Sequence, residues 1–244
     1  MEAQLESVMV RAGVPGPVGG LQRLSGGANM ESWLFSCGPN SPDDSPAAPR
    51  PAAPRFVLRR APSAEWIAAR PLDMAGEAAL IRHAFSGGVL SPEVVAELVP
   101  EDGLGIGFVM RCLPGTADPE IALASGQELA LDLAQAMARI HALDAAAVPF
   151  LPRLEPAEGV EGLARQFAEA GGDRPIIALG LAWLRAHLPP PVPSVVVHGD
   201  FRIGNLMVDQ GRLSGVLDWE LAHLGDGHED LAYGCMTVWR FGRL

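Results

Sequence analysis

The chain has 244 residues, 48% hydrophobic and 19% charged, with a formal net charge of −11. That length suffices for a core in one large domain or two small ones. The acidic balance argues against a general nucleic-acid binder, because no surplus of cations exists to neutralise phosphates.

All 18 basic residues are arginine, which excludes Schiff-base chemistry and any step that needs a lysine ammonium. Cys37, Cys112 and Cys235 are odd in number, far apart and not in ligand spacing. The chain is therefore expected in a reducing cytoplasm without a disulfide framework. The N-terminal MEAQLESVMVRAG lacks the basic start and long apolar stretch of a secretory signal. No run of about 18 apolar residues predicts a membrane span.

No internal repeat is evident along the chain. Ser32–Cys37 (SWLFSC) and Phe56–Arg60 (FVLRR) read as the two strands of a hairpin. Between them, the proline- and alanine-rich Pro39–Arg55 reads as an expanded, mobile surface loop. Arg70–Ser86 reads as a helix, with Leu80, Ile81 and Ala84 at helical spacing. Val94–Val99 and Ile106–Cys112 read as strands on either side of a turn. This places residues 1–113 in a small α+β lobe, with a boundary near Leu113–Thr116.

In residues 114–244, Gln127–Leu143 predicts a helix whose stripe is Leu129, Leu133, Met137, Ile140 and Leu143. Val160–Ala170 and Ile176–Leu188 predict two more, the second ended by Pro189–Pro191. Ser194–Val197, Leu206–Val208 and Leu213–Leu217 are β-like. The turn Gly225-Asp226-Gly227 then precedes a helix starting at Glu229.

The chemistry is concentrated in Val195–Glu220. An apolar strand leads into His198-Gly199-Asp200, Asn205 follows five residues after the aspartate, and Asp218 lies thirteen beyond Asn205. One amide and two carboxylates supply hard oxygen ligands of the kind Mg²⁺ takes when it keeps waters and substrate phosphates. Asp200 is then free to accept a proton from an attacking hydroxyl.

The pattern H-G-D-x-x-x-x-N, a hydrophobic hairpin and D-x-E resembles the aminoglycoside phosphotransferase and choline kinase group, relatives of protein kinases. LDWELAHLGD and WRFG are most similar to the phosphotransferase-type domain associated with acyl-CoA dehydrogenases. The resemblance implies a bilobal α+β protein-kinase-like fold, a small antiparallel sheet with a helix followed by a mainly helical lobe. It also implies transfer of the γ-phosphoryl group of ATP, or of GTP, to a hydroxyl of a small molecule with Mg²⁺. By resemblance, Asp200 is the base, Asn205 and Asp218 are metal ligands, and Glu220 helps hold the metal or its water.

Arg202 either offsets charge on the transferred group or is a solvated loop arginine. Ser25, Gly26, Gly27 and Asn29 match the nucleotide loop, whose glycines let backbone N–H groups approach phosphates. Phe56–Arg60 matches the strand that normally presents the phosphate-binding lysine. Arg59 is the substitute, with Arg60 second, and Glu77 is its acidic partner. Met110 and Cys112 lie in the hinge, whose backbone would pair with the adenine edge.

His198, His223 and His228 with nearby acids offer zinc as a competing reading. His198 otherwise orients its loop, and His141 packs or caps. Asp226 and Asp230 read as helix N-cap acids, Asp230 alternatively as a brace for the catalytic loop. Trp219, Trp239 and Tyr233 read as core. The chain ends at Leu244, soon after Asp218, so a truncated or short relative with an incomplete second lobe is expected. The missing lysine and early stop also feed a second reading, a nucleotide-binding scaffold with little catalysis. Aminoglycosides, choline-like alcohols, homoserine, sugars and hydroxyacyl-CoA thioesters are all admissible acceptors, the narrower resemblance favouring the last. No nucleic acid or membrane partner is expected, and the oligomeric state stays open.

Overall fold

The computed structural model describes residues 1–24, 30–38, 53–68 and 70–240, the last two without their side chains. The glycine turn at 25–29 and most of the proline-rich loop lie outside the described residues. No described helix is long and apolar enough to cross a membrane.

Helix α1 (Glu2–Arg11) buries Leu5, Val8 and Met9, the i, i+3, i+4 stripe of an amphipathic helix. It covers one face of a sheet built from β1 (Val18–Arg23), β2 (Glu31–Cys37), β3 (Arg55–Arg60), β4 (Val94–Glu97) and β5 (Gly107–Arg111). The strand order is β1-β2-β3-β5-β4, antiparallel throughout. Central β3 is covered on both faces, and alternation divides its side chains between them. Phe56 and Leu58 join Val109 in the core under α1. Arg59 shares the opposite face with its cross-strand partner Phe108. Gly107 is required here, since a Cβ would meet the Arg59 carbonyl oxygen at 2.3 Å.

After the short helix α2 (Ala64–Ala68), helix α3 runs over Met74–Ser86 and packs on β4 and β5. It begins four residues later than the expected Arg70. Pro71 cannot donate within a helix, and the Asp73 side chain accepts the Gly76 N–H at 2.7 Å as an N-cap.

Past the sheet come α4 (Pro119–Ala124) and the long α5 (Gln127–His141), which buries Leu129, Ala136, Met137 and Ile140. The two-residue β6 (Arg153–Leu154) leads into α6 (Pro156–Glu169). That helix starts before the expected Val160, because Pro156 at its first position and a Glu155/Glu158 capping box set the entry. Then follow α7 (Pro175–Ala186), β7 (Val195–Val197), the hairpin β8 (Leu206–Asp209) and β9 (Arg212–Val216), β10 (His223–Gly225) and α8 (His228–Cys235). The expected turn at Gly225 is displaced by one residue. Gly225 closes β10, which pairs with β7 and β6, and a Cβ there would meet the Leu154 oxygen at 2.7 Å.

Candidate active site

The loop after β7 is fixed from below by two side chains. His198 is fully buried between the rings of Phe201 and Trp219. Its Nδ1 accepts the Asp200 N–H at 3.2 Å, and its Nε2 donates to the Leu217 carbonyl at 3.1 Å. These roles select one tautomer of a neutral ring, and burial holds its pKa below the ordinary histidine value. His198 therefore orients the loop.

Asp230 corrects its reading as an N-cap acid. Gly227 occupies the N-cap of α8, and the Asp230 side chain turns inward, fully buried. It accepts the N–H groups of His198 and Gly199, each at 3.0 Å, and His141 Nε2 at 2.9 Å. Burial works to raise its pKa, but these donors and His198 hold it below the ordinary carboxylate range. Asp226 does act as a local cap, accepting the His228 N–H at 2.9 Å.

Above the brace, both oxygens of the buried Asp200 carboxylate are engaged. Arg202 Nε donates to Oδ1 at 2.8 Å, and the Asn205 amide donates to Oδ2. Asn205 also donates to the Asp200 carbonyl at 3.0 Å. Arg202 is thus half-buried, with its guanidinium held on Asp200. Tyr233 faces the same pair from α8 instead of filling the core; burial and the Asp200 carboxylate push its phenol up.

Asp218 follows β9 in the left-handed region, φ +66°, a conformation costly for a non-glycine residue. The Leu217 N–H donates to the Asn205 carbonyl at 2.8 Å, which ties its segment to that of Asn205. Because the Asn205 Nδ2 points at Asp200, its Oδ1 is turned away from that carboxylate. An amide oxygen and a carboxylate on two tied segments fit a hard cation that keeps further waters or phosphate oxygens. The zinc reading fails: His198 is committed within its loop, His223 lies against Glu229 and His228 on Asp226. Among the described residues no three His, Cys, Asp or Glu side chains converge on a metal position.

Opposite this loop lies a buried cluster of charge. Arg59 reaches from β3 with Nε 3.0 Å from Glu77 of α3, and its Nη2 donates to Asp218 at 2.7 Å and Glu220 at 3.2 Å. The Glu77 contact is a charge contact without a directed hydrogen bond. Burial opposes the Arg59 charge, but three carboxylates hold the guanidinium protonated. Burial, with Asp218 and Glu220 nearby, pushes Glu77 up against the pull of Arg59. Arg60, the second candidate, alternates away and pairs with Glu31 and the Leu104 carbonyl.

The expected hinge residues lie at the end of the sheet. Met110 sits inside the ladder opposite Val57, and the Cys112 N–H donates to the Arg55 carbonyl at 2.9 Å. That N–H is spent on the sheet, and β5 ends at Arg111. Ser25, Gly26, Gly27 and Asn29 lie outside the described residues.

A family model described as phosphotransferase enzyme family matches residues 47–244. Mouse acyl-CoA dehydrogenase family member 10 is 30% identical over 206 residues, 76% of this chain but 18% of that protein. An Escherichia coli aminoglycoside 3'-phosphotransferase is 32% identical over 118 residues, 44% of this chain and 42% of its own. The chain thus spans less than half the length of either relative. Among solved structures, macrolide 2'-phosphotransferase MphH from Brachybacterium faecium matches with a TM-score of 0.62 and 19% identity, over 98% of this chain and 80% of its own. The streptomycin–ATP ternary complex of APH(2")-IIa matches with a TM-score of 0.64 and 17% identity, over 97% and 78%. The fold is that of these kinase-like phosphotransferases.

Proposed function

The chain belongs to the phosphotransferase enzyme family, and from that premise we propose that it moves the γ-phosphoryl group of ATP to a hydroxyl of a small molecule. The observation that carries this reading is the convergence of Asp200, Asn205, Asp218 and Arg59. A loop, a hairpin and a distant strand bring together a carboxylate, two oxygen donors and a cation.

In this reading Asp200 accepts the proton of the attacking hydroxyl, while Arg202 and Asn205 hold its carboxylate in one orientation. Asn205 and Asp218 would hold Mg²⁺, which when bound neutralises phosphate charge. Arg59, anchored by Glu77, offers its guanidinium to the phosphates in place of a lysine ammonium. The adenine edge, or the guanine edge of GTP, would meet the backbone from Leu113 onward. Positioning and charge neutralisation supply most of the rate in such transfers.

The acceptor is a small-molecule hydroxyl. The sequence resemblance favours a hydroxyacyl-CoA thioester over an aminoglycoside. The deciding experiment is an ATP-consumption screen over these acceptor classes with Asp200→Asn as the control. Loss of the general base should lower turnover on the order of 10²–10⁴-fold while ATP binding persists. Full activity in that variant rules out Asp200 as the base. A second reading, a nucleotide-binding scaffold, is favoured by the Arg59 contact on Asp218, which occupies a carboxylate oxygen the metal would use. ATP-induced thermal stabilisation without turnover on any acceptor would decide for it.

A further inference from the structure

The charge cluster contains a residue that the reaction as described does not use. Arg70, in the segment between α2 and α3, points its Nη2 at Glu220 Oε1, 2.8 Å away. Its guanidinium carbon stands 4.3 Å from the centre of the Trp66 ring. The other Glu220 oxygen accepts from Arg59. Glu220 is therefore a buried carboxylate bridging two guanidinium groups, one oxygen to each.

The physical need for such a bridge follows from replacing lysine by arginine. An ammonium is a point charge that one acid can anchor, whereas a planar fork must also be fixed in rotation. Glu77 holds the Nε edge of Arg59, and Glu220 with Asp218 holds its Nη2. With Arg59 alone, three carboxylates would compete for one cation in a buried site. Arg70 takes up the charge of Glu220 and leaves Arg59 to be shared between Glu77 and Asp218. The Trp66 ring limits where Arg70 itself can go.

We propose that Arg70 is a positioning residue, acting through Glu220 to set the Arg59 fork for nucleotide phosphate, and that Glu220 is this bridge and not a metal ligand. The inference rests on the phosphotransferase reading and adds to it a second arginine and a changed role for Glu220.

The test is a double-mutant cycle on ATP binding, measured by calorimetry in EDTA and again over a Mg²⁺ titration, with Arg70→Gln, Glu220→Gln and the double variant. Loss of a charged hydrogen-bonded anchor should weaken metal-free ATP binding about tenfold in Arg70→Gln. In the Glu220→Gln background the same substitution should change affinity by less than about twofold, because the bridge is already gone. The Mg²⁺ concentration for half-saturation should stay unchanged in Glu220→Gln, and the ATP KM should rise in Arg70→Gln more than kcat falls.

An equal cost of Arg70→Gln in both backgrounds overturns the proposal, since Arg70 would then attract phosphate unaided. So does an unchanged affinity, or a raised Mg²⁺ requirement in Glu220→Gln. Wild-type protein that binds no ATP sinks the phosphotransferase reading and this inference together. Arg70→Lys, which keeps the cation, replaces Arg70→Gln if the latter melts early, and should recover part of the lost affinity.

Discussion

The two sides of the site are built from different materials. On the loop side, Asp230 and His198 act mostly on backbone: the N–H groups of His198, Gly199 and Asp200 and the carbonyl of Leu217. On the arginine side, five side chains from β3, α3, the α2–α3 segment and the stretch after β9 meet one another through ion pairs and charged hydrogen bonds, with no backbone partner among these contacts. Backbone partners define one geometry, because peptide groups cannot turn independently of the chain. Carboxylates and guanidinium groups can exchange partners within the same pocket. The loop side is thus a preorganised carboxylate, and the arginine side a set of charges able to regroup.

The largest expected effect breaks the loop side. Asp230→Ala strands two buried N–H groups and the half-buried His141 and removes the buried charge they serve, which should cost about 3–5 kcal/mol. Thermal melting and turnover should fall together. A variant that melts like wild type yet loses activity would show that the brace orients without stabilising. Next comes Gly199→Ala. Gly199 has φ +79°, and a Cβ would stand 2.4 Å from the Leu221 carbonyl oxygen. The forced shift should cost about 1–3 kcal/mol in a urea melt and displace Asp200 with it. Activity preserved in Gly199→Ala would mean that the loop tolerates movement, erasing the contrast with the arginine side.

The same difference explains what was legible in the sequence. His198, Asp200, Asn205 and Asp218 fall within one short segment, so their spacing alone brings them together. Arg59 and Glu77 were readable as a strand and a helix position once the missing lysine asked for a substitute. Arg70 carried no signal: it lies in no motif, and only the path of the chain past Trp66 brings it to Glu220. Asp230 was visible as an acid near a helix start, but whether such a side chain caps or turns inward depends on what packs beside it. Helix α1 went unread although Leu5, Val8 and Met9 stand at helical spacing, whereas strands as short as β6 and β10 exist only through their neighbours.

A smaller effect is expected from pH. Burial keeps His198 neutral, so as pH falls through about 6.5 the unfolded chain takes up a proton that the folded chain refuses. Stability should then decline toward acid by at most about 1.4 kcal/mol per pH unit. His223 has the opposite sign: burial lowers its pKa, but Glu229 raises it further. Its contribution is full below about 6.5 and lost as pH rises through the raised value. Melting temperatures of His198→Gln between pH 5 and about 7 should lose the acid limb and keep the alkaline one. Persistence of the acid limb would move that proton to another group and weaken the case for a neutral brace.

The smallest effect marks where charge ceases to matter. Arg185 of α7 makes two hydrogen bonds to Glu161 of α6, both 2.7 Å, as short as the contact of Arg59 with Asp218. Distance would rank the two alike. Burial does not: the Arg185 pair stands in solvent, where water and salt screen it and two long side chains must be ordered to form it. Arg185→Gln should leave the melting temperature and turnover unchanged within error, at low salt as well as high. A resolved loss there would show that short arginine contacts stabilise this fold wherever they occur, and the buried cluster at Arg59 would then owe nothing special to its desolvation.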